Sequence, residues 1–189
     1  GAGDDTIYGA SSTNDLTSTD GADTLYGGTG DDELHGQTGD DTLIGNEGDD
    51  NLIGGAGNDT ADYSYLDTSS NSVIADFTSN TATVSNGTDT DTFNSIENVT
   101  GTKNNDTFIM QSGNVTNVIN GGANGIDTID YSNYTTNGIE IDLSLTSSQE
   151  IVAGDFDTVE GIENIIGSQL KDTITGNDEN NEIDGHEGS

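Results

Sequence analysis

The sequence predicts an all-β fold built from short tandem repeats, and three observations predict it. Residues 1–62 hold one nine-residue phase across seven consecutive units. Each unit ends in an alternation of polar and apolar residues with the period of a β-strand, as in Thr42-Leu43-Ile44. The rest of the chain holds two related longer units, in which Val73-Ile74-Ala75-Asp76-Phe77 and Ile139-Glu140-Ile141-Asp142-Leu143 alternate like half-buried strands. The chain therefore divides into 1–62, 63–120 and 121–189.

Composition says what the repeats must contend with. Only 28% of the 189 residues are hydrophobic, and 36 acidic residues face two cations, Lys103 and Lys171, for a formal charge of -34. A chain of this kind buries too little apolar surface to offset its ordering entropy, so the fold needs a further source of stability. Nucleic acid and anionic membrane surfaces are excluded as partners because both require Lys and Arg against phosphate. Cations are the natural partner. With no Cys, neither disulfides nor thiolate metal sites are available. No apolar stretch approaches the length of a bilayer span and the first residues do not resemble a signal peptide, so membrane insertion is not expected. The sequence opens inside one glycine-rich repeat and stops inside another, Gly185-His186-Glu187-Gly188-Ser189, which reads as an excerpt of a larger protein.

In the first region the sixth position of the unit runs Asp5, Asn14, Asp23, Asp32, Asp41, Asp50, Asp59. Two residues later stand Ile7, Leu16, Leu25, Leu34, Leu43, Leu52 and Ala61, and two residues earlier Gly3, Ser12, Gly21, Gly30, Gly39, Gly48 and Gly57. Glycines allow positive φ and close backbone approach, so six residues can form a tight turn with carbonyls aimed inward. The three that follow form a short strand with one apolar side chain facing in.

This recurrence resembles the Gly-Gly-x-Gly-x-Asp-x-apolar-x nonapeptide of the RTX (repeats-in-toxin, hemolysin-type) family. The match is full at 27–35, near full at 36–44, 45–53 and 54–62, and degenerate at 9–17. The resemblance implies a parallel β-roll, a right-handed β-helix or solenoid, with calcium-binding turns and two units per coil. Turns would then stack at eighteen-residue intervals, with Asp5, Asp23, Asp41 and Asp59 on one edge and Asn14, Asp32 and Asp50 on the other. Neighbouring carboxylates about 4.8 Å apart would repel by roughly 1 kcal/mol in water and about 3 to 4 kcal/mol at an effective dielectric near 20. A bridging ion reverses that sign and adds its binding energy to folding.

Oxygen-only ligands suit a hard cation, and a high-coordination, irregular site suits calcium better than magnesium. The expected cofactor is therefore Ca2+, several ions. Candidate ligands are the carboxylates of Asp5, Asp23, Asp32, Asp41, Asp50 and Asp59, with Asp106, Asp127 and Asp172 in the later units, and the carbonyls of Gly28, Gly30, Gly39, Gly48 and Gly57.

After Asp62 the glycine signal gives way to a longer repeat. Asp62-Tyr63-Ser64 returns as Asp130-Tyr131-Ser132, Asp91-Thr92-Phe93 as Asp157-Thr158-Val159, and Ile96-Glu97-Asn98-Val99 as Ile162-Glu163-Asn164-Ile165. The offset is 68 at the start and 66 thereafter, so the first copy has two extra residues before its alternating strand. The nonapeptide returns at 101–109 and 167–175. Stepping back nine puts Glu97 and Glu163 in the Asp slot, where they either reach an ion or face solvent. Asn117 and Asn181 hold the slot with a neutral amide and predict weaker or absent sites. The alternating segments are expected to widen the roll with more apolar coils, with Tyr63, Tyr65, Tyr131 and Tyr134 packing over its seam.

No catalytic constellation stands out. His35 and His186 occupy variable turn positions, and neither a zincin helix, a nucleophile elbow nor a Walker loop is present. Asp155 and Asp157 imitate a glycosidase pair, but pairs are expected by composition in so acidic a chain. A flat ice-binding face is disfavoured because the third positions run Ala2, Ser11, Asp20, Thr29, Thr38, Glu47, Ala56 without uniformity. The expected function is a non-enzymatic calcium-binding segment that folds on Ca2+ outside the cell. Resemblance implies type I secretion and a parent such as an adhesin or surface-layer protein, with neighbouring repeats or subunits of that protein as partners. The alternative is the calcium-binding flank of a secreted enzyme or toxin, such as a metalloprotease, lipase, epimerase or hemolysin.

Overall fold

The computed structural model describes residues 3, 5–9, 14–68, 70–85, 87, 89–113 and 116–186. The readings placed on Ala2, Ser11, Ser12 and residues 187–189 lie outside the described residues. Two short strands, β1 (Thr6–Tyr8) and β2 (Asp15–Thr17), lead into four longer ones, β3 (Thr24–Thr29), β4 (Glu33–Thr38), β5 (Thr42–Glu47) and β6 (Asn51–Ala56), and then β7 (Thr60–Asp62). Every second strand pairs, always in parallel: β1, β3, β5 and β7 form one sheet and β2, β4 and β6 the other. The register is eighteen residues, with Leu25 opposite Leu43, Leu43 opposite Ala61, and Leu34 opposite Leu52. This is a flattened parallel roll of two nonapeptides per coil, and the inward Leu column from each face is all but fully buried.

The strands are longer than the three residues expected. Gly28 pairs with Asn46 and Thr29 with Glu47, so the glycine pair belongs to the ladder and only Gly30-Asp31-Asp32 is left as a turn. The reason is the repeat itself: each N–H and C=O meets an equivalent group one coil away, and backbone groups with partners keep them.

A short 3-10 helix (Ser64–Thr68) leads to β8 (Val73–Asp76), β9 (Thr81–Val84) and β10 (Thr90–Asn94). These do not form a wider parallel coil. β8 and β10 each pair antiparallel with β9, and the outer two strands join parallel neighbours, β10 beside β6. The reversal after β8 is local: Asp76 Oδ1 accepts the Thr78 N–H (2.8 Å), and Asn80 takes a positive φ of 55°, both habits of turn-forming Asp and Asn. Val73, Ala75, Ala82 and Val84 are buried on the inner face of this meander.

The roll then resumes with β11 (Asn98–Thr100), β12 (Thr107–Ile109), β13 (Thr116–Asn120) and β14 (Thr128–Asp130). The second unit supplies β15 (Glu140–Asp142), β16 (Gln149–Val152), β17 (Asp155–Glu160), β18 (Asn164–Ile166), β19 (Thr173–Thr175) and β20 (Ile183–Asp184). Its hairpin, β16 with β17, joins the sheet of β1, whereas the first meander lies in the sheet of β2; β15 pairs separately with β19. The two homologous units therefore present their inserts on opposite faces. A continuous apolar core runs from Leu25 through Phe93, Phe108 and Ile129 to Ile165.

Candidate calcium ladder

The residue just before each strand faces inward at the edge of the roll, and the register stacks these residues in columns. One column reads Asp5, Asp23, Asp41, Asp59, Glu97, Asn117, Asp157, and the other Asn14, Asp32, Asp50, Asp91. Each rung hangs on the next. The Asp5 N–H donates to Asp23 Oδ1 (2.6 Å), Asp23 N–H to Asp41 Oδ1 (2.8 Å) and Asp41 N–H to Asp59 Oδ1 (2.9 Å). In the second column Asn14 N–H donates to Asp32 Oδ1 (2.6 Å), Asp32 N–H to Asp50 Oδ1 (2.8 Å) and Asp50 N–H to Asp91 Oδ1 (3.0 Å).

One oxygen of each carboxylate is thereby used, and the other is the informative one. Asp23, Asp32, Asp41, Asp50 and Asp59 are at most 3% exposed, and the Oδ2 of each is buried with no hydrogen-bond partner. Buried carboxylate oxygens are ordinarily paired, and an unpaired charge in the interior is strongly unfavourable. The electrostatics carry the same message. Burial, with the charges of Asp91, Asp32 and Asp31 adding to it against the Asp32 hydrogen bond, pushes Asp50 up to about 7. Burial likewise pushes Asp59 up to about 6, with Asp41 and Glu97 contributing, and raises Asp41. Five orphaned oxygens in two columns, with no ion pair to them among the described residues, form an oxygen-rich cradle that fits a hard divalent ion.

The glycines define the rest of the cradle. Gly28, Gly30, Gly39, Gly48 and Gly57 all have positive φ, between 105° and 152°. A side chain on Gly48 would overlap the carbonyl of Gly30, and one on Gly45 would overlap Asp50 Oδ2, so turn backbone and carboxylates are packed as closely as glycine permits.

The later candidates separate into two kinds. Asp127 is 1% exposed, and its Oδ1 accepts the Asp106 N–H (2.7 Å). Its own N–H donates to Glu163 Oε2 (2.9 Å), as Asp59 N–H does to Glu97 Oε2 (3.0 Å), which places both Glu in the Asp slot. Burial pushes Asp127 up to about 8, with Asp106 and Glu163 adding to it against the Asp106 hydrogen bond. A cavity of about 400 Å³ lined by Asp127, Glu163 and Glu179 opens beside it. Asp106 and Asp172, by contrast, have both oxygens engaged by their own turns, through Thr102 and Ser168. Asn117 and Asn181 sit in the columns and donate their amides to the Glu97 and Glu163 carbonyls.

Three carboxylates of these interiors were not singled out as site residues by the sequence. Asp91 extends the second column, Asp157 closes the first, and Asp155 lies beside Asp157 on the inner face of β17. Tyr63, Tyr131 and Tyr134 are buried as packing residues should be, but they also donate their hydroxyls to Asp91, Asp157 and Asp155 respectively (2.6, 2.9 and 2.7 Å). The recurring Asp-Tyr-Ser was the available signal.

A parallel roll with buried, in-register turn carboxylates and orphaned oxygens is a calcium-binding solenoid. Comparison with protein families gives its particular kind: the model for the RTX calcium-binding nonapeptide repeat (4 copies) matches residues 1–25, 26–61 and 157–189, and the chain belongs to this family of Ca2+-binding repeats. That repeat is a structural calcium-binding element. No curated protein matches the chain. Among the described residues, no helix is long and apolar enough to cross a membrane.

Proposed function

We propose that this chain is a calcium-triggered folding segment of a type I-secreted surface protein, held unfolded inside the cell and assembled outside it. The observation that carries this reading is the set of five buried, unpartnered Oδ2 atoms at Asp23, Asp32, Asp41, Asp50 and Asp59. Those side chains, Asp5 and Asp127, together with the turn carbonyls of Gly28, Gly30, Gly39, Gly48 and Gly57, would hold the ions. Calcium supplies positive charge between rungs that otherwise repel.

The chain's own contribution is positional. At Asp23, Asp32, Asp41, Asp50 and Asp59, Oδ1 is fixed by the N–H one coil away, which leaves Oδ2 for the ion. Glycine at positive φ brings the carbonyls close, and one Leu per unit packs inward. Extracellular modules take calcium at about 10⁻⁴ to 10⁻³ M, so affinity in that range makes the ion a compartment switch. An adhesin or surface layer suits a segment made of repeats.

The test is a far-ultraviolet circular dichroism titration of the chain with calcium, magnesium and chelator. Strand signal that grows with calcium at extracellular concentrations, and much less with magnesium, is expected. Full strand content in excess chelator would refute the switch.

A further inference from the structure

The columns contain capped carboxylates as well as orphaned ones, and the local sequence differs between them except at the turn before Asp23, where Thr19 stands four positions earlier and Oδ2 is still unpartnered. In the turns that lead to Asp32, Asp41, Asp50 and Asp59, the residue four positions earlier is Gly28, Gln37, Asn46 or Gly55, each at positive φ (112°, 78°, 74° and 114°). Their carboxylates keep an unpartnered Oδ2. In the turns that lead to Asp106 and Asp172, that residue is Thr102 or Ser168. Thr102 donates its N–H to Asp106 Oδ2 (2.6 Å) and its hydroxyl to Asp106 Oδ1 (3.2 Å). Ser168 does the same to Asp172, at 3.0 and 2.5 Å. At Asn181 the backbone bond recurs, from the Asn177 N–H to Asn181 Oδ1, but the side-chain bond is reversed, with the Asn181 amide donating to Asn177 Oδ1.

A second kind of cap comes from farther along the chain. Asp91 is the rung that follows Asp50, yet its Oδ2 is taken by the hydroxyl of Tyr63, which is 1% exposed. Asp157 is the rung that follows Asn117, and its Oδ2 is taken by the fully buried Tyr131. The separations are 28 and 26 residues, and the difference equals the two extra residues of the first unit. The pair is therefore a conserved part of the repeat between the two copies in this chain.

We propose that the chain's own hydrogen-bond donors replace calcium at four rungs, the Tyr63 and Tyr131 hydroxyls at Asp91 and Asp157 and the Thr102 and Ser168 N–H groups at Asp106 and Asp172, so that these coils form without an ion, as a scaffold on which the calcium ladder of residues 23–61 assembles. Asp127, and Asp155 with its unpartnered Oδ1, lie outside that set. This rests on the reading of the five orphaned carboxylates as calcium ligands. The scaffold has what the first region lacks. A donated hydrogen, from a Tyr hydroxyl at Asp91 and Asp157 and from a backbone N–H at Asp106 and Asp172, stands where the ion would, and Phe93, Phe108, Met110, Tyr131 and Tyr134 fill the interior where the ladder has one Leu per unit. Its β10 edge continues the sheet of β6, and β11 that of β7, so it presents two ready-made strands to the ladder.

Hydrogen exchange read by mass spectrometry on the whole chain, in chelator and in calcium, tests this. In chelator, residues 24–61 are expected to exchange freely while 73–84, 91–100, 107–109 and 157–166 stay protected; calcium then protects 24–61. Free exchange of both regions in chelator, with calcium needed for each, would overturn the scaffold but leave the calcium reading standing. Protection of both regions in chelator would overturn the calcium reading and the scaffold with it.

Tyr63→Phe supplies the second arm, since it keeps the ring and deletes one hydrogen bond to a charged group. Exchange in residues 90–94 should become about 10- to 100-fold faster in chelator, and calcium should restore the slow rate by entering the vacated place at Asp91 Oδ2. An unchanged rate, or a loss that calcium does not reverse, would overturn the replacement.

Discussion

Asp41→Asn separates a calcium ligand from a residue that merely accepts a hydrogen bond. Asp41 Oδ1 accepts the Asp23 N–H, its own N–H donates to Asp59 Oδ1, and Oδ2 is the orphan. The amide can keep the first bond but sets a neutral donor where the ion needs an anionic oxygen. Two effects oppose each other. Relief of repulsion from Asp23 and Asp59, one coil away on either side, favours folding by roughly 1 to 3 kcal/mol per pair across the range of effective dielectric. Against it, a site saturated at about a hundred times its dissociation constant contributes about 2.7 kcal/mol of linked stability, and Asp41 borders the sites above and below it, so about 5 kcal/mol is at stake.

With the retained ions holding the repulsion near its aqueous value of about 1 kcal/mol per pair, the net expectation is a loss of about 3 kcal/mol in calcium. Spread over about five cooperatively bound ions, this raises the calcium midpoint roughly threefold. Asp40→Asn is the control, because Asp40 is exposed and its Oδ1 serves only the Asn58 N–H. It removes the same charge from the same turn. Calcium titrations of both variants by circular dichroism decide the matter: an Asp41→Asn midpoint no higher than that of Asp40→Asn would refute the assignment.

Asp157, at the far end of the first column, gives the chain a pH dependence that does not involve the five orphaned carboxylates. Burial, with the charge of Asp155 adding to it against the hydrogen bonds from Tyr131 and Asn117, pushes its carboxyl up to about 7 from an ordinary 3.8. The folded form therefore holds the proton more tightly. The stability it contributes is complete below about pH 4 and is lost as pH rises through about 7, by at most about 4 kcal/mol at 1.36 kcal/mol per pKa unit. Chemical denaturation in chelator at pH 5 to 8 should show this slope in wild type and a flatter one in Asp157→Asn; equal slopes would contradict it. Leu43→Ala tests the apolar column, since Leu43 is fully buried between Leu25 and Ala61 in register. It should remove about 2 to 5 kcal/mol and raise the calcium midpoint, and an unchanged midpoint would show that the column contributes little.

The eighteen-residue columns were legible in the sequence because an uninterrupted nonapeptide phase has one stacking that aligns Leu with Leu and Asp with Asp. Glu97 and Glu163 were found in the Asp slot by the same counting. The antiparallel meander was not foreseen. Val73, Ala75 and Phe77 alternate equally well in a parallel or an antiparallel strand, and the decision lies in the Asp76–Asn80 turn. The placing of the two inserts on opposite faces follows from how many half-coils separate them, a number that no single segment carries. The pairing of Tyr63 with Asp91 needed the meander to be folded first. At Asp106 and Asp172 the caps come from Thr102 and Ser168 in the place of the second glycine, but Thr19 stands in that place before the orphaned Asp23, so the residue type alone was not a signal.

The most direct test of the ladder is to locate the ions. A crystal structure of the chain grown in calcium, with anomalous scattering used to mark the metal, should show density beside Oδ2 of Asp23, Asp32, Asp41, Asp50 and Asp59 and none beside Asp91 or Asp106. A folded roll with those five places free of metal would contradict the account.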